Sequence, residues 1–340
     1  MSSLSIIVPV FNEIRYLDKF GERLFNSFRN ENIEYIFVND GSTDGSEKWL
    51  ENLSKKNKNK IKFVNLNQNT GKGNAIHKGI EIATSDYILF QDADLELDPL
   101  DSYEMYKIIK KNKNIECLFG SRYLSGKLKK NNNYINENFG KFNSFLFNLL
   151  FNQSLSDLHC GTKIISKNLL KKLNLSIKDF GFEIDIASQI SKTKYDIYEY
   201  GISYFARTIA EGKKITWIDG IKSYFYLFKT RFIQNDLSII FSLIFSTSYM
   251  IYLSSYFKIG LINVLIILFF GLIGMFIGLH NKILNSSIIM LFSYLGTLFG
   301  KENSKIFTVL VGLLIGLYFT KKIKTFYLNK KKNRLIDFLI

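Results

Sequence analysis

The stretch Tyr87–Pro99, YILFQDADLELDP, decides the fold. It opens with four apolar residues, the pattern of a strand buried on both faces. The chain then turns acidic, with Asp92, Asp94, Glu96 and Asp98 following closely. Carboxylates this close repel one another, so something must offset them. Asp98 ahead of Pro99 reads as a helix start, an N-cap acceptor before a proline at the first helical position. If the backbone stays extended past the strand, Asp92, Asp94 and Glu96 share a face, and a divalent cation would relieve their repulsion. A solvated acidic turn that only caps the next helix is the alternative.

Outward from this stretch, the first 120 residues alternate between two periodicities. LSIIVPV, IEYIFV, IKFVNL, DYILF and ECLFG are apolar runs of strand length. Between them, EIRYLDKFGERLFNSF, TDGSEKWLENLSK, GKGNAIHKGIEIA and DPLDSYEMYKIIKKN carry helical spacing or helix-start signals. Such alternation predicts a largely parallel sheet covered by helices, with ligands beyond the strands' carboxyl ends. Four polar clusters fall at those ends: VPVFNE, VNDGSTDGS, FQDADLE and GSRYLSG. GKGNAIHKG is either a phosphate cradle at a helix start or a site of close helix packing, and it lacks the full P-loop pattern. Further on, LSGKLKKNNNYINENFG reads as a mobile basic loop and KFNSFLFNLLF as an aromatic helix. Cys117 and Cys160 are far apart, and three scattered histidines form no metal set; the cysteines suit a reducing compartment.

The chain has 340 residues and a formal net charge of +15. From Leu237 onward eleven Lys/Arg face two acids, so most of the basicity belongs to the last third. That third carries uncharged runs at Leu237–Phe257, Ile259–Leu279, Ile283–Gly300 and Ile306–Thr320. The first two are 21 residues each, enough to span a bilayer core of roughly 30 Å; the other two are shorter. The expected organisation is a cytoplasmic domain over 1–218, an amphipathic interface helix over 219–236, a membrane domain over 237–320 and a basic tail over 321–340. MSSLSIIVPVFNE carries no signal-peptide pattern, and the tail holds seven basic residues between Lys321 and Arg334. Positive-inside logic therefore puts both ends in the cytoplasm, with four spans in the inner (plasma) membrane. A basic tail directly after a span argues for anionic lipid and against nucleic acid.

SIIVPVFNE, VNDGSTDGS, GKGNAIHKGIEIATSDYILFQDADLELDP and GSRYLSG occur in the order and spacing of family 2 glycosyltransferases. More narrowly, the chain resembles the dolichyl-phosphate mannose synthase-like, or polyprenyl-phosphate glycosyltransferase, branch. DLHCGTKIISK and YEYGISYFARTIAEGKKITWIDGIK are similar to later segments of that branch, and the likeness runs over roughly residues 4 to 235.

The resemblance implies a GT-A fold, Rossmann-like with a mostly parallel sheet, followed by C-terminal transmembrane helices. It further implies Mg²⁺ or Mn²⁺ and inverting transfer from a nucleotide diphosphate sugar, of GDP-mannose or UDP-hexose type, to a polyprenyl phosphate. By position, Pro9, Phe11, Glu13, Val38 and Asp40 hold the nucleoside. Asp92 and Ala93 line the donor, Asp94 and Glu96 bind the metal, and Arg122, Arg207 and Lys213 contact phosphates. Asp157 is the candidate catalytic acid residue near the sugar, as base or as anchor of its turn. Lys141, Ser144 and Lys163 stand at acceptor-phosphate positions, with Asn148 completing the pattern, and both lysines replace the usual arginine. Phe11 replaces a common Tyr, and Asn39 a common Asp. The alternatives are a transferase acting on another lipid, a polysaccharide synthase, or a non-catalytic recruiting protein. The Gln-x-x-Arg-Trp motif of processive synthases is absent. The sequence specifies neither the sugar nor whether the chain forms a homo-oligomer.

Overall fold

In a computed structural model the chain divides into two units, Met1–Thr230 and Arg231–Ile340. The structure describes residues 3–124, 126–130, 134–208, 211–212 and 217–233. The four apolar runs from Leu237 to Thr320, the basic tail and Lys213 lie outside the described residues. Among the described residues no helix is long and apolar enough to cross a membrane.

The first unit is built on β1 (Leu4–Val10), α1 (Ile14–Ser27), β2 (Ile33–Asp40), α2 (Ser46–Lys56), β3 (Ile61–Leu66), α3 (Lys72–Ile82), β4 (Tyr87–Phe90), α4 (Pro99–Lys111) and β5 (Cys117–Ser121). Each follows the periodicity read from sequence. A short β6 (Lys129–Lys130) precedes α5 (Tyr134–Phe151), β7 (Lys163–Ser166), α6 (Lys167–Leu170), α7 (Phe182–Ser191), β8 (Tyr198–Gly201), β9 (Tyr204–Phe205) and α8 (Trp217–Phe228). The seven-stranded sheet runs β3-β2-β1-β4-β7-β5-β8. β1 pairs in parallel with β2 and β4, whereas β7 is antiparallel to both β4 and β5.

The apolar run in β4 is explained by its central position: all four residues are buried. β1 shows how its two faces are covered. Ile6, Val8 and Val10 join Leu17, Phe20 and Leu24 of α1 and Met105 and Ile109 of α4 in one core. Ile7, on the opposite face, meets α3 where Gly79 has no side chain; a Cβ there would lie 2.5 Å from Ile7 Cγ2. The helix therefore packs directly on the sheet.

One sequence expectation is corrected. The segment read as a mobile loop is helical from Tyr134 onward, so α5 starts seven residues before the expected Lys141. Its polar first turns are tied down by charge: Glu137 pairs with Lys129 and Lys141 at 2.8 and 2.9 Å. Strand β7 was not foreseen, because KIIS follows a turn-rich segment with no strand-length apolar run before it. The helix expected at the membrane interface begins as α8 and packs on the first unit. Ser223 Oγ accepts from Asn143 of α5 at 2.7 Å, and Tyr226 hydrogen-bonds Asp179 ahead of α7.

The helix start after the acidic stretch is as expected: the Asp98 side chain accepts from Leu100 N at 3.0 Å, with Pro99 first in α4. Asp98→Ala should cost about 1 kcal/mol, a fall in melting temperature of roughly 2–4 °C, with the activity per folded molecule unchanged. A loss of activity larger than the loss of folded protein would place Asp98 in the site instead of behind it.

Candidate active site

The site forms where β1, β2, β4 and β5 end. Beyond Phe90 the chain does not stay extended. Leu95 adopts φ +59°, an uncommon left-handed conformation for a branched side chain. Asp94 Oδ1 accepts from Glu96 N at 3.1 Å and closes the turn. The expectation that Asp92, Asp94 and Glu96 share one face is therefore corrected, because the bend separates them into two sets.

Asp94 and Glu96 converge on Arg207. Its guanidinium lies 2.9 Å from Glu13, 3.0 Å from Asp94 and 3.5 Å from Glu96. Glu96 also accepts from Arg207 N at 3.0 Å, and Phe205 N donates to Glu96 O at 2.9 Å. With a bridge between Leu97 and Tyr204, these bonds clip β9 along the acidic turn. Burial, then the charges of Asp92 and Glu96, push the Asp94 carboxyl up to about 7 even with Arg207 beside it. The cluster is thus short of positive charge. Among the described residues no group of three or more His, Cys, Asp or Glu is arranged to hold a metal. Two carboxylates that still repel fit a Mg²⁺-type ion, whose other ligands come from phosphate and water.

Asp92 faces the other way. Lys72 Nζ lies 2.8 Å from Asp92 and 2.8 Å from Glu183 at the start of α7. Burial disfavours the Lys72 charge, but the two carboxylates outweigh it and raise its pKa. Gly71 and Gly73 beside it serve close packing: a Cβ on either would lie 2.6 Å from the carbonyl of Lys178 or Ile177.

Arg122 and Asp157 form the third set. Arg122 Nε and Nη2 donate to the two Asp157 oxygens at 2.6 and 2.8 Å, and Arg122 N donates at 3.0 Å. His159 N also donates to Asp157, at 3.2 Å. Burial alone would raise the Asp157 carboxyl, yet the Arg122 charge and its hydrogen bonds hold it below the usual range. Such a carboxylate is a weak proton acceptor. Asp157 thus holds Arg122, whose guanidinium stacks over Tyr204 at 5.2 Å.

The residues expected at the nucleoside are near one another in the chain's fold but differ in exposure. Pro9 and Phe11 are half-buried, while Val38 is fully buried inside β2. Asp40 accepts from Thr70 N at 2.8 Å and Gly71 N at 2.9 Å, fixing the loop before α3. Ala93 is buried next to the acidic turn.

Two expected acceptor contacts are corrected. Ser144 is buried, donates to Gly140 O and accepts from Leu158 N, both at 3.1 Å. Lys163 is 1% exposed and donates to Cys160 O under the Phe119 ring, with its pKa lowered by burial. Neither faces an incoming lipid. Asn148 clamps Leu155 through both its amide atoms at 2.9 Å. Lys141 alone of this set is half in solvent, 5.4 Å from the Tyr123 ring. The sequence reading missed Glu183; its signal was a pair of acids, Glu183 and Asp185, in the first turn of a largely apolar helix, FEIDIASQI.

Residues 5–173 match the family model described as Glycosyl transferase family 2. A dolichyl-phosphate beta-glucosyltransferase of Dictyostelium discoideum is 27% identical over 229 residues, 62% of this chain and 68% of its own length. An undecaprenyl-phosphate 4-deoxy-4-formamido-L-arabinose transferase of Proteus mirabilis is 36% identical over 101 residues, 29% of this chain and 31% of its own. Among solved structures, glucosyl-3-phosphoglycerate synthase of Mycobacterium tuberculosis, with Mn²⁺, UDP-glucose and phosphoglyceric acid, superposes with TM-score 0.53 at 15% identity. That likeness covers 67% of this chain and 79% of the synthase, and it establishes the GT-A fold.

The raised Asp94 pKa has a direct consequence for stability. An acid whose folded pKa exceeds its unfolded value binds more protons when folded, so stability falls as pH rises from about 4 to about 7. Without added metal, Asp94→Asn should therefore melt higher than wild type at pH 8, with the gap shrinking toward pH 5. Added Mn²⁺ should raise the wild-type melting temperature at pH 8 and leave the variant unmoved. An Asn variant less stable at both pH values would remove the charge-deficit account.

Proposed function

We propose, from the premise that this chain belongs to glycosyl transferase family 2, that it moves one sugar from a nucleotide diphosphate sugar to a polyprenyl phosphate at a membrane face. The observation that carries the reading is the charge-deficient pair Asp94 and Glu96 at the carboxyl edge of the sheet, flanked by Arg207 and by the Arg122–Asp157 pair. Relatives named for dolichyl and undecaprenyl phosphate support the acceptor class. The uncharged runs from Leu237 onward support placement at a membrane.

On this reading Pro9, Phe11, Glu13, Val38 and Asp40 frame the nucleoside, and Asp92 and Ala93 line the sugar. Asp94 and Glu96 would hold Mg²⁺ or Mn²⁺, which when bound stabilises the charge that develops on the leaving diphosphate. Structures of the mycobacterial synthase contain Mn²⁺ or Mg²⁺ together with UDP. Arg207 is the neighbouring cation that the diphosphate meets as it enters. The nucleophile is a lipid phosphate, already anionic at neutral pH, so it needs no strong base. A single displacement by that oxygen inverts the anomeric centre. Asp157 contributes by orienting Arg122, whose planar fork suits phosphate in a way a lysine does not.

The test is incubation of membranes containing the chain with a panel of radiolabelled nucleotide sugars and polyprenyl phosphate. One donor should give a lipid-extractable product, lost with a chelator and reduced on the order of 10²-fold or more in Asp94→Asn. No product with any donor would overturn the reading. If Asp157 acts through Arg122, then Asp157→Asn and Arg122→Gln should lower kcat by similar factors, and the double variant should be little worse than either. A loss in Asp157→Asn far exceeding that in Arg122→Gln would restore Asp157 as the base.

A further inference from the structure

Lys72 occupies a position that helix energetics do not favour. It is the first residue of α3, where the helix dipole is positive and a cation is destabilising. It is also largely withdrawn from water, with a side chain 14% exposed. Both costs are offset by two carboxylates, Asp92 from the end of β4 and Glu183 from the first turn of α7. Glu183, unlike Lys72, is favoured by the dipole of its own helix.

The surrounding backbone fixes this arrangement. Asn74 N donates to Lys178 O at 2.8 Å. Asp185 Oδ2 accepts from Ser176 N and Ile177 N at 2.7 and 3.0 Å. The starts of α3 and α7 are thereby locked together through residues 176–178. On the remaining side Gly161 leaves the space that Asp92 occupies: a Cβ there would lie 2.1 Å from Asp92 Oδ2 and 3.0 Å from Lys72 Nζ. Gly161 sits four residues past Asp157, in the segment that carries the Arg122–Asp157 pair. Asp92 thus lies beside both the Asp94–Glu96 turn and the segment that carries that pair, where the proposed reading puts the sugar.

We infer that Lys72, braced by Glu183, is a positioning residue for the donor: it holds the Asp92 carboxylate in the orientation that reads the sugar. The inference rests on the proposed nucleotide-sugar reading of the site. A hydrogen bond made through a charged partner typically changes affinity by roughly ten- to a hundredfold. The loss should fall on the sugar more than on the nucleoside diphosphate, because Lys72 pairs with Asp92 and Glu183, whereas Asp94 and Glu96 pair with Arg207.

The experiment measures dissociation constants of UDP-glucose and UDP, and of GDP-mannose and GDP, for the full chain in detergent with Mn²⁺. For the pair that wild type binds, Lys72→Met should weaken the nucleotide sugar about tenfold or more and leave the nucleoside diphosphate within about twofold. Lys72→Arg should recover part of the loss. Lys72→Met leaves Glu183 buried without its cation, so the double variant Lys72→Met/Glu183→Gln repeats the measurement without that charge. Equal weakening of sugar and nucleoside ligands in both variants would make Lys72 a structural brace only, and unchanged affinities would remove its role altogether. A wild-type chain that binds neither pair overturns the nucleotide-sugar reading along with the inference. Selective loss in a chain that makes no lipid-linked sugar would remove the acceptor and leave the assignment of Lys72 standing.

Discussion

Two partly buried cations gather the acids at the carboxyl edge of the sheet, Lys72 holding Asp92 and Glu183 and Arg207 holding Glu13, Asp94 and Glu96. Charges withdrawn from water interact far more strongly than exposed ones, and an unmatched one is costly. The bend at Leu95 lowers that cost by directing Asp92 to one cation and Asp94 with Glu96 to the other. It does not remove it, and the raised Asp94 pKa is the residue of the imbalance. On the proposed reading, a bound cation would supply the charge that Asp94 and Glu96 lack.

Topology explains why these groups meet. Adjacent parallel strands β2, β1 and β4 end at one edge, which brings Asp40, Glu13 and the acidic turn together. The antiparallel β7 then enters between β4 and β5. The segment leading into it, residues 157–162, therefore passes over the same edge and delivers Asp157 and Gly161. Finally β9 pairs with β6 and is clipped to Glu96, which delivers Arg207. β9 is held to the turn by a backbone hydrogen bond and residues 157–162 are tied to the end of β5, so the side chains they carry arrive with little freedom left.

Most of the parallel core was legible because each element announces itself locally. Uniform apolarity marks β4, spacing marks α1, and Asp98 with Pro99 marks the start of α4. The family motifs at the strand ends were legible for the same reason. What escaped depends on tertiary contact. Extended alternation failed at Leu95, where the turn is stabilised by the Glu96 N–H donating to Asp94 and by Phe205 of β9, over a hundred residues away, donating to Glu96 O. Ser144 and Lys163 match a linear pattern, but the fold buries both, and nothing in their neighbours' composition distinguishes a floor residue from a rim residue. Glu183 had no motif at all; its meaning comes from facing Lys72.

The cations sort by chemistry as well as by place. The two arginines, Arg122 and Arg207, take multidentate carboxylate contacts at the buried part of the site, as a planar fork favours. Lys72 and Lys163 are withdrawn from water, whereas Lys129 and Lys141 lie toward the surface of α5 and the preceding loop. Tyr123 connects the two groups: its ring is approached by Arg122 at 5.5 Å and by Lys129 and Lys141 at 5.2 and 5.4 Å. Lys129 and Lys141 are themselves held apart by Glu137 between them. On the proposed reading a lipid phosphate arriving at Lys141 meets the point charges of Lys141 and Lys129 first and the arginine fork only beyond Tyr123. Loose capture at the rim and rigid orientation at the reacting centre are what a large, membrane-delivered acceptor requires. That division also accounts for a lysine at position 141, where a preorganised bidentate grip would offer no advantage.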